Sequence, residues 1–224
     1  MDCIIQCLEN RSSNKESVWR FPAESEDRPA STLITQAAAF EKELHRIGIK
    51  KAHRIGLFFE AHWSYVAMLV AIWRLNAIAV PLLPKSKIQS EFARTHQNEI
   101  DSFRLFIYGG ATREDVLMHW LEFYSTTAFP LDHFEEIAQT ESLRYGVKSK
   151  IEIELNDIAV IKLPCRYDKN LHSGLITHSN LLELIGWENT DAEMPGEGGE
   201  IEEQYTMQSL ITNLVAAVTM PVAV

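Results

Sequence analysis

The fold is decided by residues 54–83, which read RIGLFFEAHWSYVAMLVAIWRLNAIAVPLL. Residues 54–59 form a short apolar run, typical of a strand buried on both faces of a sheet. Residues 62–76 are apolar almost all round, which at this length indicates a deeply packed helix. Residues 77–83 predict a second strand, stopped by Pro84. Two buried strands joined by a helix form a β–α–β unit, so the two strands should be parallel.

The alternation of helix and strand continues on both sides of this unit. Upstream, Ser31 or Thr32 is predicted to cap a helix that Gly48 ends, and its apolar stripe is Leu33, Ala37, Phe40, Leu44 and Ile47. Downstream, the pattern predicts a helix at 87–98, a strand at 103–108, a helix at 113–124, an extended stretch at 126–130, strands at 157–161 and 175–177, and a helix capped by Ser179 or Asn180 and running to Trp187. The predicted fold class is therefore α/β, with a mostly parallel sheet and helices on both faces.

Two units are predicted along the chain. Residues 1–30 are mostly polar and form an N-terminal extension with a short strand at 18–21. Residues 31–224 form a single α/β domain, which includes an acidic loop at 188–203 and an apolar C-terminal helix at 204–224. The acidic loop is interpreted as solvated surface, and contact with a basic partner is the alternative.

Composition excludes several classes of function. With 224 residues, 46% of them hydrophobic, the chain can bury the core of one domain. A formal net charge of −10 argues against binding nucleic acid or an anionic membrane surface. Cys3, Cys7 and Cys165 form no disulfide or zinc framework, and the amino terminus lacks a secretory signal. We therefore expect a cytoplasmic protein, and attachment to a membrane through its partners is compatible with this expectation.

The C-terminal segment, residues 207–224, contains no charged residue and approaches the length of a membrane span. Polar residues within it, such as Gln208 and Asn213, favour a helix that a protein surface covers, and a tail anchor is the alternative. The apolar side chains predicted to form an interface are Met207, Leu210, Ile211, Leu214, Val215 and Val218.

Three stretches, residues 32–40, 48–57 and 77–82, resemble in order and character the amino-terminal region of adenylate-forming enzymes. This superfamily comprises acyl-CoA synthetases, fatty-acyl-AMP ligases and peptide-synthetase adenylation domains. Asp157-Ile158-Ala159 is similar to the family's "D-L-A", and residues 177–182 are similar to its "T-H-x-N-L-L". The resemblance implies the α/β fold of the family's N-terminal subdomain.

Between these two anchors, active members of the family carry the phosphate-binding loop "T-S-G-T-T-G-K-P-K-G". The same positions of this chain hold Pro164, Cys165, Arg166, Tyr167, Asp168, Lys169, Asn170, Leu171, His172 and Ser173. Arg166, Lys169 and Ser173 replace glycines, whose backbone approaches phosphate closely, and Asp168 adds a negative charge. The resemblance therefore implies that ATP and AMP are not bound in the family's manner.

The same residues allow other interpretations. Arg166, Lys169 and His172 could form a different anion site, although positive charge alone does not fix a phosphate-binding geometry. Cys165 could act as a nucleophile with His172 as its base, but an incidental cysteine is the simpler interpretation. The eight histidines show no paired spacing, so we predict no metal site. The tryptophans at 63, 73, 120 and 187 are predicted to be core or interface residues.

The function predicted from the sequence is a noncatalytic, protein-binding adaptor in a larger cytoplasmic assembly, without a cofactor. Active relatives continue into a large core and a mobile C-terminal domain that supplies catalytic residues, whereas this sequence stops at Val224. An exposed apolar surface left by the missing part would then favour protein partners. The alternatives are one half of a divergent or split acyl-adenylating enzyme and a membrane-attached regulator.

Overall fold

The structure is a computed structural model. It describes residues 4–12, 18–19, 28–60, 62–95, 102–110, 112–140, 152–163, 174–184, 212, 214 and 215. The helices are α1 (Ile4–Ser12), α2 (Ala30–Ile47), α3 (Trp63–Arg74), α4 (Ile88–Thr95), α5 (Glu114–Tyr124), α6 (Leu131–Thr140) and α7 (His178–Leu184). The strands are β1 (Val18–Trp19), β2 (Arg28–Pro29), β3 (Arg54–Phe58), β4 (Ile78–Pro81), β5 (Leu105–Tyr108), β6 (Thr127–Pro130), β7 (Ile158–Lys162) and β8 (Gly174–Thr177).

Six strands form the main sheet in the order β6-β5-β3-β4-β7-β8. The β–α–β unit forms its centre, where β3 and β4 are parallel and Ile55 pairs with Ala79. The pairings of β3 with β5, β4 with β7 and β5 with β6 are also parallel, and only β7 and β8 are antiparallel. The prediction of a mostly parallel sheet is confirmed. The short strands β1 and β2 pair separately as an antiparallel ribbon.

Helices cover both faces of the main sheet, as predicted. Side chains from α1, α2, α3, α6 and α7 form the larger apolar cluster, and those from α4 and α5 form the smaller one. The smaller cluster is largely aromatic, because the rings of Phe58, Phe103 and Phe106 meet the edge or face of Trp120 at centroid distances of 5.4–5.8 Å. Such edge-to-face contacts add to the free energy of burying the rings.

Helix α3 is the most deeply packed helix among the described elements. All of its residues from Ser64 to Trp73 are buried, which agrees with its apolar sequence. The imidazole Nδ1 of His62 accepts a hydrogen bond from the Ser64 amide and caps the helix. At the other end, the indole N–H of Trp73 donates to the carbonyl oxygen of Ala159 in β7 (3.0 Å), which ties this helix to the sheet.

Two predicted helix caps are wrong. Helix α2 begins at Ala30 with Pro29 as its N-cap, and the Thr32 hydroxyl instead donates to the Pro29 carbonyl (2.6 Å). Proline fits there because its missing N–H is not needed by the helix. The hydroxyl oxygen of Thr177 caps α7 by accepting the Asn180 amide hydrogen (3.1 Å), so neither Ser179 nor Asn180 is the cap. The predicted end of α2 at Gly48 is confirmed by a left-handed φ of 92°.

Two helices are not predicted by the sequence patterns. Helix α1 lies in the polar first segment, but its Ile4 and Leu8 are fully buried in the larger cluster. Helix α6 follows β6 directly at Leu131, without an intervening loop, and its Phe134 contacts Phe40 of α2 edge-on. Both helices are short, and nine or ten residues form fewer than three helical turns, which gives little periodicity to detect.

Residues 188–203 lie outside the described part of the chain, and so does the predicted helix at 204–224 except for Thr212, Leu214 and Val215, which are helical. Leu214 is fully buried in the larger cluster, and Val215 packs against it. Within the described residues, no helix has the length and apolar character needed to cross a bilayer.

Candidate functional site

The candidate site is the connection between the antiparallel strands β7 and β8. These strands are antiparallel, and Lys162 pairs with Gly174 at the end where the chain leaves β7. Because β7 is parallel to β4, this end lies at the edge where the parallel strands finish, here called the carboxyl edge. Ligands of α/β sheets usually bind at that edge. The structure thus places the two ends of the connecting segment, residues 164–173, at the carboxyl edge.

The connecting segment itself lies outside the described residues. The predictions for Pro164, Cys165, Arg166, Tyr167, Asp168, Lys169, His172 and Ser173 therefore stay predictions, and so does the alternative anion site. The same holds for the interface predicted at Met207, Leu210, Ile211 and Val218.

A buried glutamine holds the start of the connecting segment. The amide nitrogen of Gln89 in α4 donates to the Leu163 carbonyl oxygen (3.2 Å), and its oxygen accepts the Leu83 amide hydrogen (2.7 Å). Gln89 is only 4% exposed, so both bonds form away from solvent. The residue after β7 is therefore tied to the chain that follows β4. Sequence reasoning missed this role, and the available signal was a glutamine beside the apolar stripe of α4.

The anchor residue Asp157 fixes the other end of β7. Its carboxylate accepts hydrogen bonds from Lys51 Nζ (2.9 Å) and Asn76 Nδ2 (2.7 Å) and from a backbone amide. Burial raises the pKa of this carboxyl, but the bonds from Asn76 and Lys51 outweigh that effect and bring the pKa to about 2. Asp157 is consequently a structural anion at neutral pH.

The second anchor, residues 177–182, forms the start of α7. The Asn180 side-chain oxygen accepts from the Thr177 amide (3.3 Å) and hydroxyl (3.0 Å), while the Thr177 hydroxyl oxygen caps the helix. The His178 backbone amide donates to the Asp157 carbonyl oxygen (3.1 Å), which links the two anchors directly. The residues that carry the resemblance therefore make contacts that build the fold.

His178 is fully buried beside α3. Its ring lies 6.0 Å from the Trp73 ring in an edge contact, and neither ring nitrogen has a hydrogen-bond partner among the described residues. Burial lowers the pKa of His178 to about 4, and the charge of Asp157 opposes this only in part. The imidazole is thus neutral at physiological pH and belongs to the core.

Basic side chains near the carboxyl edge are paired with acids. Lys85 lies 2.8 Å from Glu60, and Lys87 and Arg113 both contact the Asp115 carboxylate, at 3.3 and 2.8 Å. These pairs are exposed, so each contributes little to stability. They nevertheless reduce the positive potential that a phosphate chain would meet. Within the described residues, no group of three or more histidine, cysteine, aspartate or glutamate side chains is placed to hold a metal ion.

No protein-family profile and no curated protein sequence matches this chain. Solved structures do match. A fatty acyl-CoA synthetase from Mycobacterium tuberculosis superposes with a TM-score of 0.68 at 14% identity, covering 98% of this chain and 45% of that one. VinN in complex with L-aspartate gives a TM-score of 0.66 at 16% identity, covering 97% and 60%.

A third match is the fatty acyl-adenylate ligase from L. pneumophila in complex with acyl adenylate and pyrophosphate. Its TM-score is 0.60 at 19% identity, and the match covers 87% of this chain and 34% of that one. The chain therefore spans between about a third and three fifths of the length of these three neighbours. At identities this low, structural similarity establishes the fold alone. The fold of this chain is that of the N-terminal subdomain of adenylate-forming enzymes.

Proposed function

We propose that this chain is a noncatalytic, protein-binding subunit of a larger cytoplasmic assembly, built on the adenylate-forming fold. The observation that carries the proposal is the β7–β8 pair. Its register and the Gln89 bonds fix the ends of the connecting segment at Leu163 and Gly174, and residues 164–173 contain no glycine. A backbone without glycine is restricted in the left-handed conformations that let successive N–H groups surround a phosphate.

The electrostatics of the carboxyl edge support the same proposal. Asp168 would bring a negative charge toward the phosphate oxygens, and two unit charges 4 Å apart repel by about 4 kcal/mol at an effective dielectric constant of 20. The neighbouring cations Lys85, Lys87 and Arg113 are already engaged by carboxylates. A nucleotide would have to displace these pairs to gain compensating contacts.

The exposed leucines near β8 provide a surface for a partner. Leu175 in β8 is 55% exposed, and Leu184 at the end of α7 is 56% exposed. Strand β8 is at one end of the strand order, and an edge strand offers backbone groups for pairing with another chain. Apolar side chains on such an edge favour contact with a protein over contact with a small polar ligand.

Two measurements test the absence of catalysis. We expect no heat of binding when the purified chain is titrated with Mg-ATP by calorimetry, and no ATP–pyrophosphate exchange with a mixture of fatty acids. A saturable exchange activity would overturn the proposal.

A loop exchange provides the positive control. In this variant, residues 164–173 are replaced with the family sequence TSGTTGKPKG, whose glycines and lysine restore the phosphate-binding elements. We expect the exchanged chain to bind Mg-ATP measurably while the native chain does not. Equal affinity of both chains for ATP would show that the altered segment is not the reason why the native chain fails to bind ATP.

One observation favours a second candidate, in which the chain is one part of a split acyl-adenylating enzyme. The match covers only 34–60% of the length of the three solved neighbours. A split enzyme requires a second chain that supplies the remainder, which would be encoded nearby. If the chain is part of a split enzyme, we expect pyrophosphate exchange when the two chains are mixed and none with either chain alone. If the chain is an adaptor, we expect no exchange in the mixture either.

A further inference from the structure

Basic side chains lie together at the amino edge of the main sheet, which is the edge where the parallel strands begin. Lys50 and His53 belong to the turn that leads into β3, Arg54 is the first residue of β3, and Arg104 immediately precedes β5. The Arg104 amide donates to the Arg54 carbonyl oxygen (2.9 Å), next to the pairing of β3 with β5. Two neighbouring strands thus begin with arginines, at the edge opposite the β7–β8 connection.

The turn holds Lys50 and His53 in fixed relative positions. The His53 amide donates to the Lys50 carbonyl oxygen (3.1 Å), and the Nδ1 atom of His53 accepts the Lys50 amide hydrogen (3.1 Å). The amide of Ala52, whose φ is a left-handed 63°, donates to the Asn76 carbonyl oxygen (2.8 Å) and ties the turn to the chain that enters β4. Since Nδ1 is an acceptor, the neutral His53 ring carries its proton on Nε2.

Two of these cations have no anionic partner within the part of the chain that the structure describes. Lys50 and Arg104 are exposed, and neither forms an ion pair with a described carboxylate, whereas Lys51 in the same turn bonds to Asp157. Burial lowers the pKa of His53, and the charges of Arg104 and then Lys50 lower it further. The three groups are therefore near enough to repel one another.

Like charges that gather without a counter-ion favour the binding of an anion. Lys50, His53, Arg54 and Arg104, here called the basic patch, differ in sign from the chain as a whole, whose net charge is −10. Charges beyond a screening length of about 8 Å contribute little at physiological ionic strength, so a ligand responds mainly to the cations beside it. The basic patch can therefore hold an anionic group in spite of the overall charge.

The backbone of the basic patch argues against phosphate as the ligand. A phosphate site needs several free N–H groups that point at its oxygens. Here the amides of Lys50, Ala52, His53 and Arg104 all donate to acceptors within the protein. Side-chain donors remain, one group on the turn and another at a strand entry. Such an arrangement suits carboxylates spaced along a peptide, since carboxylates form strong hydrogen bonds with charged donors.

We propose that the basic patch binds an acidic peptide segment of a partner protein. Carboxylates of the segment accept hydrogen bonds from the Lys50 ammonium and the Arg104 guanidinium, and the His53 Nε2–H supplies a further donor. This inference rests on the proposed protein-binding function, to which it adds a class of partner. It uses none of the residues of β8 and α7.

The test is a titration of labelled octaglutamate with the purified full chain, followed by fluorescence anisotropy. We expect saturable binding at about 50 mM salt and at least about tenfold weaker binding at about 500 mM, because salt screens exposed charges. Unlabelled octaglutamate should compete, whereas octaglutamine and inorganic phosphate at the same concentration should not. Absence of binding would overturn the proposal, and so would a single-stranded octathymidylate that competes better than octaglutamate.

Two double variants locate the site. Lys50→Gln with Arg104→Gln removes two cations of the basic patch, and we expect octaglutamate to bind at least about fivefold more weakly. Lys85→Gln with Lys87→Gln changes the net charge equally at the carboxyl edge, and it should bind as the native chain does. All four positions are exposed, so neither double variant alters the core. An equal loss of binding in both would show that only overall charge matters, which contradicts the proposal.

A failure of this test and a failure of the proposed function are distinguishable. Pyrophosphate exchange by the native chain would overturn the noncatalytic function and leave the binding of octaglutamate in place. Absence of octaglutamate binding would overturn the basic patch as a site and leave the leucine surface of β8 and α7 for a partner.

Discussion

At the scale of single residues, the two anchors of the resemblance are structural groups that respond to acid in different pH ranges. The pKa of Asp157 is lowered by its hydrogen bonds, and that of His178 is lowered by burial. Both therefore favour the folded state at neutral pH and lose that effect on acidification. The separation of the two ranges makes the two contributions distinguishable in one experiment.

For His178, protonation is easier in the unfolded chain, whose imidazole has the ordinary pKa of 6.5, than in the fold, where the pKa is about 4. The free energy of unfolding should therefore decrease as the pH falls from 6.5 toward 4. His178→Leu should reduce this slope and change stability at neutral pH by less than about 1.5 kcal/mol, because no described hydrogen bond of the ring is lost. Urea unfolding across this range measures both effects. A slope that is unchanged in the variant would contradict the assignment.

For Asp157, the carboxyl has its ordinary pKa of 3.8 in the unfolded chain and a pKa of about 2 in the fold. The stabilisation is present above the unfolded pKa and is lost as the pH falls from 3.8 toward 2. Asp157→Asn should lower the free energy of unfolding at neutral pH by about 1–3 kcal/mol, the range for hydrogen bonds to a charged group. Glu122→Gln, an exposed position on α5, is the control and should leave the unfolding curve in place. Equal stability of both variants would refute this account of Asp157.

At the scale of elements, the packing of β3 against β5 depends on a glycine in the central strand. A Cβ at Gly56 would overlap the Phe106 ring and lie 2.8 Å from Leu82 Cδ1. We expect Gly56→Ala to lower the free energy of unfolding by about 1–3 kcal/mol, because these aromatic and apolar neighbours are fixed by the core. A Cβ at Gly110 would meet nothing within 4 Å, so Gly110→Ala is the control. Thermal and urea unfolding of the two variants give the comparison, and an equally stable Gly56→Ala would show that the strand accommodates the methyl group.

Helix α4 links two chain segments at the carboxyl edge through Gln89. Gln89→Met keeps the length of the side chain but leaves the Leu83 amide and the Leu163 carbonyl without this partner. We expect a loss of about 1–3 kcal/mol and faster hydrogen exchange at the Leu83 amide. Glu91→Met, exposed on the same helix, should leave exchange at Leu83 as it is in the native chain. Unchanged exchange in Gln89→Met would contradict the link.

At the scale of the whole molecule, the proposed partner surface has two exposed leucines on the β8 side. Once a partner is identified, Leu175→Asp and Leu184→Asp should each weaken its binding at least about tenfold, since a desolvated carboxylate opposes association. Met118→Asp tests an exposed apolar residue on α5, which belongs to neither β8 nor α7, and should bind the partner normally. Calorimetry with the purified partner gives the affinities. Tight binding by both leucine variants would show that the partner binds to a different surface.

Sequence patterns predicted part of the fold of the whole molecule. The β–α–β pattern of residues 54–83 predicted the centre of the sheet, because a strand buried on both faces and a helix apolar all round have few other places in a small α/β fold. Gly48 predicted the end of α2, since a left-handed φ is easy for glycine. The apolar runs at 157–161 and 175–177 predicted a strand on either side of the connecting segment. These features depend on local periodicity and on backbone preferences, which the sequence alone determines.

The remaining features of the fold depend on tertiary contacts. The strand order, the burial of Ile4 and Leu8 beneath α2 and the antiparallel return of β8 depend on contacts between distant residues, which a local pattern does not contain. The same is true of the bonds that Gln89 forms with Leu83 and Leu163. It is also true of the hydrogen bonds that join Gln36 to Ser64 and Ser64 to Glu135, which lie 28 and 71 residues apart in the sequence. A polar side chain in an amphipathic helix has no detectable role until packing removes water from it and selects its partner.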